Sequence, residues 1–337
     1  HPPPDARRVS APRGWRGPAA VRCSTPPAGG ASLFATPADP RGSQGWTDEL
    51  TARNRDFVTA CEANSGGILP YITTDNAARD MDLLRAVLGD TTLNYLGYSY
   101  GTFLGATYAK LFPERVGRLV LDGAIDPSVS GLDVSTTQAI GFESALRAYM
   151  ADCLGGSGCP FSGSVDDGMA ALGTLLASVD RVPLTASDGR KLGADTLMTA
   201  IIAALYSQDS WSYLSRALTD ALAGDADTAF SLADFYYARS NGIYQDNSAE
   251  AFRAYNCMDY PLDTSQADKD AADALVKQKA PTIAPYWQGV DACEVWPYPP
   301  TGVREQRAAD GAAPIVVAGT PNDPPPPRAC SVAPAAP

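Results

Sequence analysis

Gly97-Tyr98-Ser99-Tyr100-Gly101 sets a serine between two glycines, a pattern suited to nucleophilic catalysis. A serine at G-x-S-x-G spacing suits a tight strand-to-helix turn, where a strained backbone lifts the hydroxyl clear of its surroundings. The flanking glycines let neighbouring chain pass close by. The N–H of the next residue, Tyr100, then points to where an oxyanion would develop, and the start of the following helix adds a favourable dipole. The chemistry this permits is acyl transfer with Ser99 as nucleophile. The plainer alternative is a βα turn that happens to contain a serine, and the flanking sequence weighs against it. Residues 93–96 read as a short strand, 100–112 as a helix stopped by Pro113, and 118–122 as a second apolar strand. Strand, helix and strand in so short a span imply a parallel pair with a right-handed crossover.

A nucleophilic serine needs a base, and the base needs a carboxylate to orient it. Asp323 follows the apolar run PIVVAG, where a loop leaving a strand would place it over the site. Asp122, after the second strand, is its rival, although it serves as readily to hold the turn at Gly123; Asp323 is preferred. The base itself is missing. The single histidine is His1, set in a proline run, and no lysine follows Ser99 at Ser-x-x-Lys spacing. A second oxyanion donor normally comes from a Gly-rich loop before the nucleophile, and residues 1–68 offer only Gly29-Gly30 and Gly66-Gly67, neither after a credible strand.

Around these residues the 337-residue chain is acidic, with a formal net charge of -12, which argues against nucleic acid as a partner. It has no apolar run of membrane-spanning length and no P-loop or dinucleotide fingerprint. Seven cysteines are many for a reducing compartment. In sequence order they fall as Cys23 and Cys61, Cys153 and Cys159, Cys257 and Cys293, with Cys330 left over. The short, Gly-rich span from Cys153 to Cys159 could close as a local disulfide, and metal spacing is poor. Disulfides in an exported protein are favoured over buried free thiols. No metal and no organic cofactor is expected.

Proline clusters at both ends, which suits extended chain and resists sheet packing. The chain divides into a Pro-rich irregular segment (1–47), an α/β core carrying the Ser99 turn (48–128), a helical block (129–305), a returning core strand with Asp323 (306–324) and a Pro/Ala-rich tail (325–337). Thr74 is positioned to cap a helix over 74–89, ended by Gly89. Within the helical block, 193–207, 226–239, 248–259 and 265–280 read as helices. Residues 314–319 return to a buried-strand pattern, so the three strands are expected in one sheet with the helical block over their carboxyl ends, where such sheets bind ligands.

Residues 71–128, which include GYSYGT followed by LFPERVGRLVLDG, closely resemble the tripeptidyl aminopeptidase-like α/β-hydrolases, exported serine peptidases of actinomycetes related to prolyl aminopeptidases. VRCST at 21–25, AYNCMDYP at 254–261 and IVVAGTPNDP at 315–324 extend the likeness over residues 21–324. The resemblance implies an α/β-hydrolase fold, a parallel sheet with flanking helices and an inserted helical cap. It implies Ser99 as nucleophile, the Tyr100 N–H as oxyanion donor and Asp323 as triad acid. The cysteine pairs become structural disulfides and the substrate a peptide with a free amino terminus, whose amine an acidic cap residue would meet; Glu250 is the candidate. An esterase or lipase of the same fold, or a noncatalytic binding protein, is the alternative. The likeness breaks at both ends. The early strands, the last strand and a histidine-bearing loop are not found, and PRGWRGPAAVR at 12–22 and DPPPPRACSVAPAAP at 323–337 stand in their place, as in a gene fragment or a frameshifted reading. A chain so composed is expected to be poorly soluble and catalytically dead.

Overall fold

The computed structural model describes residues 21–23, 34–262, 264–287 and 289–319; Asp323, His1 and Cys330 lie outside them. In chain order the elements are α1 (Gln44–Asn64), α2 (Thr74–Val87), β1 (Leu93–Tyr98), α3 (Tyr100–Leu111), β2 (Val116–Asp122), α4 (Gly131–Gly155), α5 (Val165–Arg181), β3 (Leu184–Thr185), β4 (Lys191–Leu192), α6 (Ala194–Leu205), α7 (Trp211–Leu222), α8 (Asp227–Tyr236), β5 (Arg239–Ser240), β6 (Ile243–Tyr244), α9 (Ser248–Asp259), α10 (Gln266–Lys279), α11 (Ala284–Trp287) and β7 (Ile315–Ala318).

β1, β2 and β7 form one parallel sheet in that order, aligned through Leu96, Val120 and Val316. The side-chain alternation of a strand sends Leu119, Leu121 and Ile315 to one face, where α2 and α3 cover them with Ala78, Tyr108 and Ala109. Leu96, Val120 and Val316 share the other face, and there Leu96 is 54% and Val316 57% exposed. Parallel strands are usually covered on both faces; among the described residues, this sheet is packed on one.

The chain between β2 and β7 is mostly helical, with two short hairpins and an irregular stretch over 296–314 leading into β7. α4 to α8 and α10 bury a single apolar cluster around Leu146, Leu172, Leu197, Ile201, Leu214 and Leu218. Ser130, Ser164 and Ser265 each close a capping box with an aspartate three residues on, so α4, α5 and α10 start where the sequence supplies both halves of the motif. No helix among the described residues is long and apolar enough to cross a membrane.

α1 and α9 belong to a third cluster. Phe57, Val58 and Cys61 of α1 pack with Ala254, Cys257 and Met258 of α9 and with Trp296. Disulfides Cys23–Cys61 and Cys257–Cys293 tie its parts together, and Cys153–Cys159 closes a loop at the end of α4. α1 already begins at Gln44, under a cap from Ser43, inside the segment read as irregular.

One local expectation is corrected. Thr73, not Thr74, caps α2, its hydroxyl accepting from the Asn76 N–H. Thr74 already has its backbone in the helix, and both of its hydrogen-bond donors go to Asp259 of α9.

Candidate functional site

β1 delivers Ser99 to a turn that a non-glycine residue rarely adopts, with φ 50° and ψ -120°. Such a conformation costs on the order of 1–3 kcal/mol and persists only where the surroundings impose it. Here they do. The Ser99 N–H donates to the Asp122 carbonyl (3.1 Å), tying the turn to the end of β2. The Ser99 carbonyl accepts from both the Thr102 N–H (2.8 Å) and the Thr102 hydroxyl (2.6 Å), and that hydroxyl accepts from Ile125 N–H (2.9 Å). The Tyr95 hydroxyl donates to the Gly101 carbonyl (2.8 Å). A Cβ on Gly97 would lie 2.5 Å from the Gly101 carbonyl oxygen, and one on Gly105 would lie 2.6 Å from Leu121 Cδ2. These glycines allow α3 to sit directly on the strands that carry it.

Ser99 is the N-cap of α3, yet its side chain makes no capping bond. Ser43, Thr73, Ser130, Ser164 and Ser265 occupy the same position on other helices, and each accepts a main-chain N–H there; Ser210, at the start of α7, accepts none but keeps an ordinary negative φ of -89°. A hydroxyl at a helix start ordinarily does so. The unusual backbone of Ser99 withholds its hydroxyl from that duty, and the first amides of α3, Tyr100 among them, lie at the positive end of the helix.

Tyr100 carries the contact into the helical layer. Its hydroxyl lies 2.6 Å from Thr74 Oγ1. Thr74 gives its own hydroxyl proton to Asp259 Oδ2 (2.6 Å) and its N–H to Asp259 Oδ1 (2.9 Å), so the Tyr100 phenol is the donor of the first bond. Burial pushes the Tyr100 phenol well up, helped by the nearby Asp259 charge. Burial likewise pushes the Asp259 carboxyl up to about 6, although the Thr74 bonds and the Arg304 charge pull the other way. Tyr255, Tyr260 and Phe103 wall the region with rings, and the Arg304 guanidinium stacks 3.2 Å over the Tyr260 ring centre.

The sequence-derived residues are therefore placed unevenly. Gly97, Ser99, Tyr100 and Gly101 come together as one turn. Asp122 meets that turn through its main-chain carbonyl. Glu250 stands in the first turn of α9, nine residues before Asp259 and so about 14 Å along the helix from it. Asp323 is outside the described residues. Asp259 and Thr74 were not singled out for this place. One signal was present: Asp259 is an acid at the carboxyl end of a helix, against the dipole, which hints at a partner elsewhere.

Comparison with known proteins follows the same lines. The family described as alpha/beta hydrolase fold matches residues 38–257. Serine protease Hip1 of Mycobacterium tuberculosis is 35% identical over 282 residues, 80% of this chain and 54% of that protein. Carboxylesterase B of the same organism is 36% identical over 277 residues, 80% of this chain and 53% of its own length. Tripeptidyl aminopeptidase of Streptomyces lividans is 28% identical over 282 residues, 80% and 50% respectively. The chain thus spans about half the length of the curated relatives it matches. With a parallel sheet, a positive-φ serine between close-packed glycines at the strand-to-helix turn and a helical layer inserted before the returning strand, the chain belongs to the alpha/beta hydrolase fold family.

Proposed function

We propose that this chain carries the nucleophile turn and cap of a serine hydrolase that acts on peptides, releasing short peptides from free amino termini through an acyl-enzyme on Ser99. The observation that supports the reading best is the positive-φ serine at the strand-to-helix turn, held there by close-packed glycines with its hydroxyl taking no main-chain hydrogen. The Tyr100 N–H is the first oxyanion donor. Asp323 is the acid that orients the base. Glu250 is the cap carboxylate offered to the substrate amine. Three disulfides fit an oxidising, exported setting. His1 is the only histidine of the sequence, so Ser99 attacks slowly unless a base is supplied.

A second reading is an esterase, supported by the likeness to a protein named for carboxylester cleavage. The two readings part on substrate. With imidazole added as base, the peptidase reading expects cleavage of a tripeptidyl p-nitroanilide with a free amine and little cleavage once the amine is acetylated, both lost in Ser99→Ala. Preferred cleavage of a p-nitrophenyl ester, indifferent to any amine, supports the esterase instead. Fast anilide turnover without imidazole contradicts the requirement for an added base.

A further inference from the structure

α9 ends at Asp259, which is 5% exposed. Two separate donors of Thr74 converge on its carboxyl, and the oxygen of the Thr74 hydroxyl then receives the phenol of Tyr100. Tyr100 is the residue directly after Ser99. Three side chains therefore run in an unbroken line from the carboxyl end of a cap helix to the nucleophile turn. Asp259 is clamped from behind as well. A Cβ on Gly302 would lie 1.9 Å from the Asp259 carbonyl oxygen, and the amides of Thr301 and Gly302 both bond the Met258 carbonyl. A carboxylate serving only to satisfy the start of α2 would need the Thr74 N–H; it would not need the hydroxyl that holds Tyr100.

We infer that Asp259 is a positioning residue for the Ser99 turn: acting through Thr74, it fixes the Tyr100 side chain and with it the Tyr100 amide beside the nucleophile. The inference rests on the reading of Ser99 as nucleophile and adds a cap residue that governs it. The charged state matters because the carboxylate is acceptor-only, so both Thr74 donors meet it without competition from a proton of its own. On protonation one carboxyl oxygen becomes a donor, the Thr74 hydroxyl must reorient, and the bond to Tyr100 loses its fixed polarity. The groups facing Asp259 are Thr74 and Asp75 of α2, Tyr100 of α3, Tyr255 of α9, and Tyr260 and Arg304 beyond it. Burial and the Asp75 charge favour the neutral form, against Thr74 and Arg304. The single histidine can be removed as His1→Ala, leaving no imidazole to confuse a titration in this range.

The test uses the full chain in that background, labelled with 15N-tyrosine, following the Tyr100 amide from about pH 4.5 to 8. The same samples are treated with a fluorophosphonate to obtain the rate of adduct formation on Ser99 against pH. The expected result is a Tyr100 amide shift with its midpoint near the Asp259 transition and a labelling rate that falls on the acid side of it. Thr74→Val abolishes the amide shift and slows labelling about tenfold or more, whereas Thr74→Ser restores both. Asp259→Asn flattens both profiles, and the Thr74 pair carries the test if that variant does not fold. A Tyr100 amide that ignores pH in the parent chain, or titrates unchanged in Thr74→Val, overturns the inference. A normal amide titration with no adduct on Ser99 at any pH leaves the positioning intact and removes the nucleophile. An adduct with a flat pH profile, unchanged in Thr74→Val, does the reverse.

Discussion

At the scale of single residues, the site rests on one strained serine and on what its neighbours do to hold it. The G-x-S-x-G spacing was legible because glycine and serine at that interval have a direct steric meaning, and the structure gives that meaning distances: 2.5 Å for a Cβ at Gly97. Asp259 was not legible as part of the site. Its partner, Thr74, is 185 residues away in sequence, and the pairing exists only once α9 is laid against α2. Asp259 also sets a pH dependence. Its carboxyl titrates at about 6 in the fold and near 3.9 in an unfolded chain. A raised value favours the protonated form in the folded state, so this stabilising contribution is complete below about pH 4 and is lost as pH rises through about 6. Urea denaturation across that range should show the stability of the parent chain falling relative to Asp259→Asn by on the order of 2–3 kcal/mol. A pH-independent difference between the two would contradict it. The charged carboxylate thus costs stability in the same range where it organises the turn, as functional groups often do.

At the scale of elements, the regular ones were readable and the ones that depend on distant partners were not. α3, α9, β2 and β7 lie close to their sequence-derived positions because each carries its own apolar pattern or breaker: Pro113 after α3, Pro261 after α9. α1 carries no such stripe. Among its 21 residues only Phe57, Val58 and Cys61 are buried, so its helix is recognisable mainly through what it docks on. That docking separates α9 from the main helical core and joins it to α1 and Trp296. The Cys257–Cys293 disulfide closes a span of 36 residues around this arrangement. Replacing both cysteines by alanine should cost about 4 kcal/mol of stability in urea unfolding under oxidising conditions. It should also weaken the Tyr100 amide titration, because α9 carries Asp259. Unchanged stability in the double variant would mean that the apolar cluster alone holds α9.

At the scale of the whole molecule, the sheet has, among the described residues, one face covered by α2 and α3 and one with Leu96 and Val316 in the open, beside Tyr98 at 62% exposure. Apolar strands bare on one face invite association between copies. Light scattering should show the parent chain forming aggregates at concentrations where Leu96→Glu/Val316→Lys stays monomeric; equal behaviour would show that the face is covered in solution. That the three strands share one sheet, the first two as a parallel pair, was legible from their apolar runs and the crossover; the place of β7 beside β2 was not read from the sequence. The triad acid was read onto Asp323, outside the described residues, and the base has no counterpart beyond His1. The proposal that the fold prepares Ser99 as a nucleophile is tested by fluorophosphonate treatment of the intact chain, with and without imidazole, followed by peptide mass mapping. One adduct is expected, on Ser99, accelerated by imidazole and absent in Ser99→Ala. No adduct on Ser99 even with imidazole, or equal labelling of the urea-unfolded chain, would contradict it.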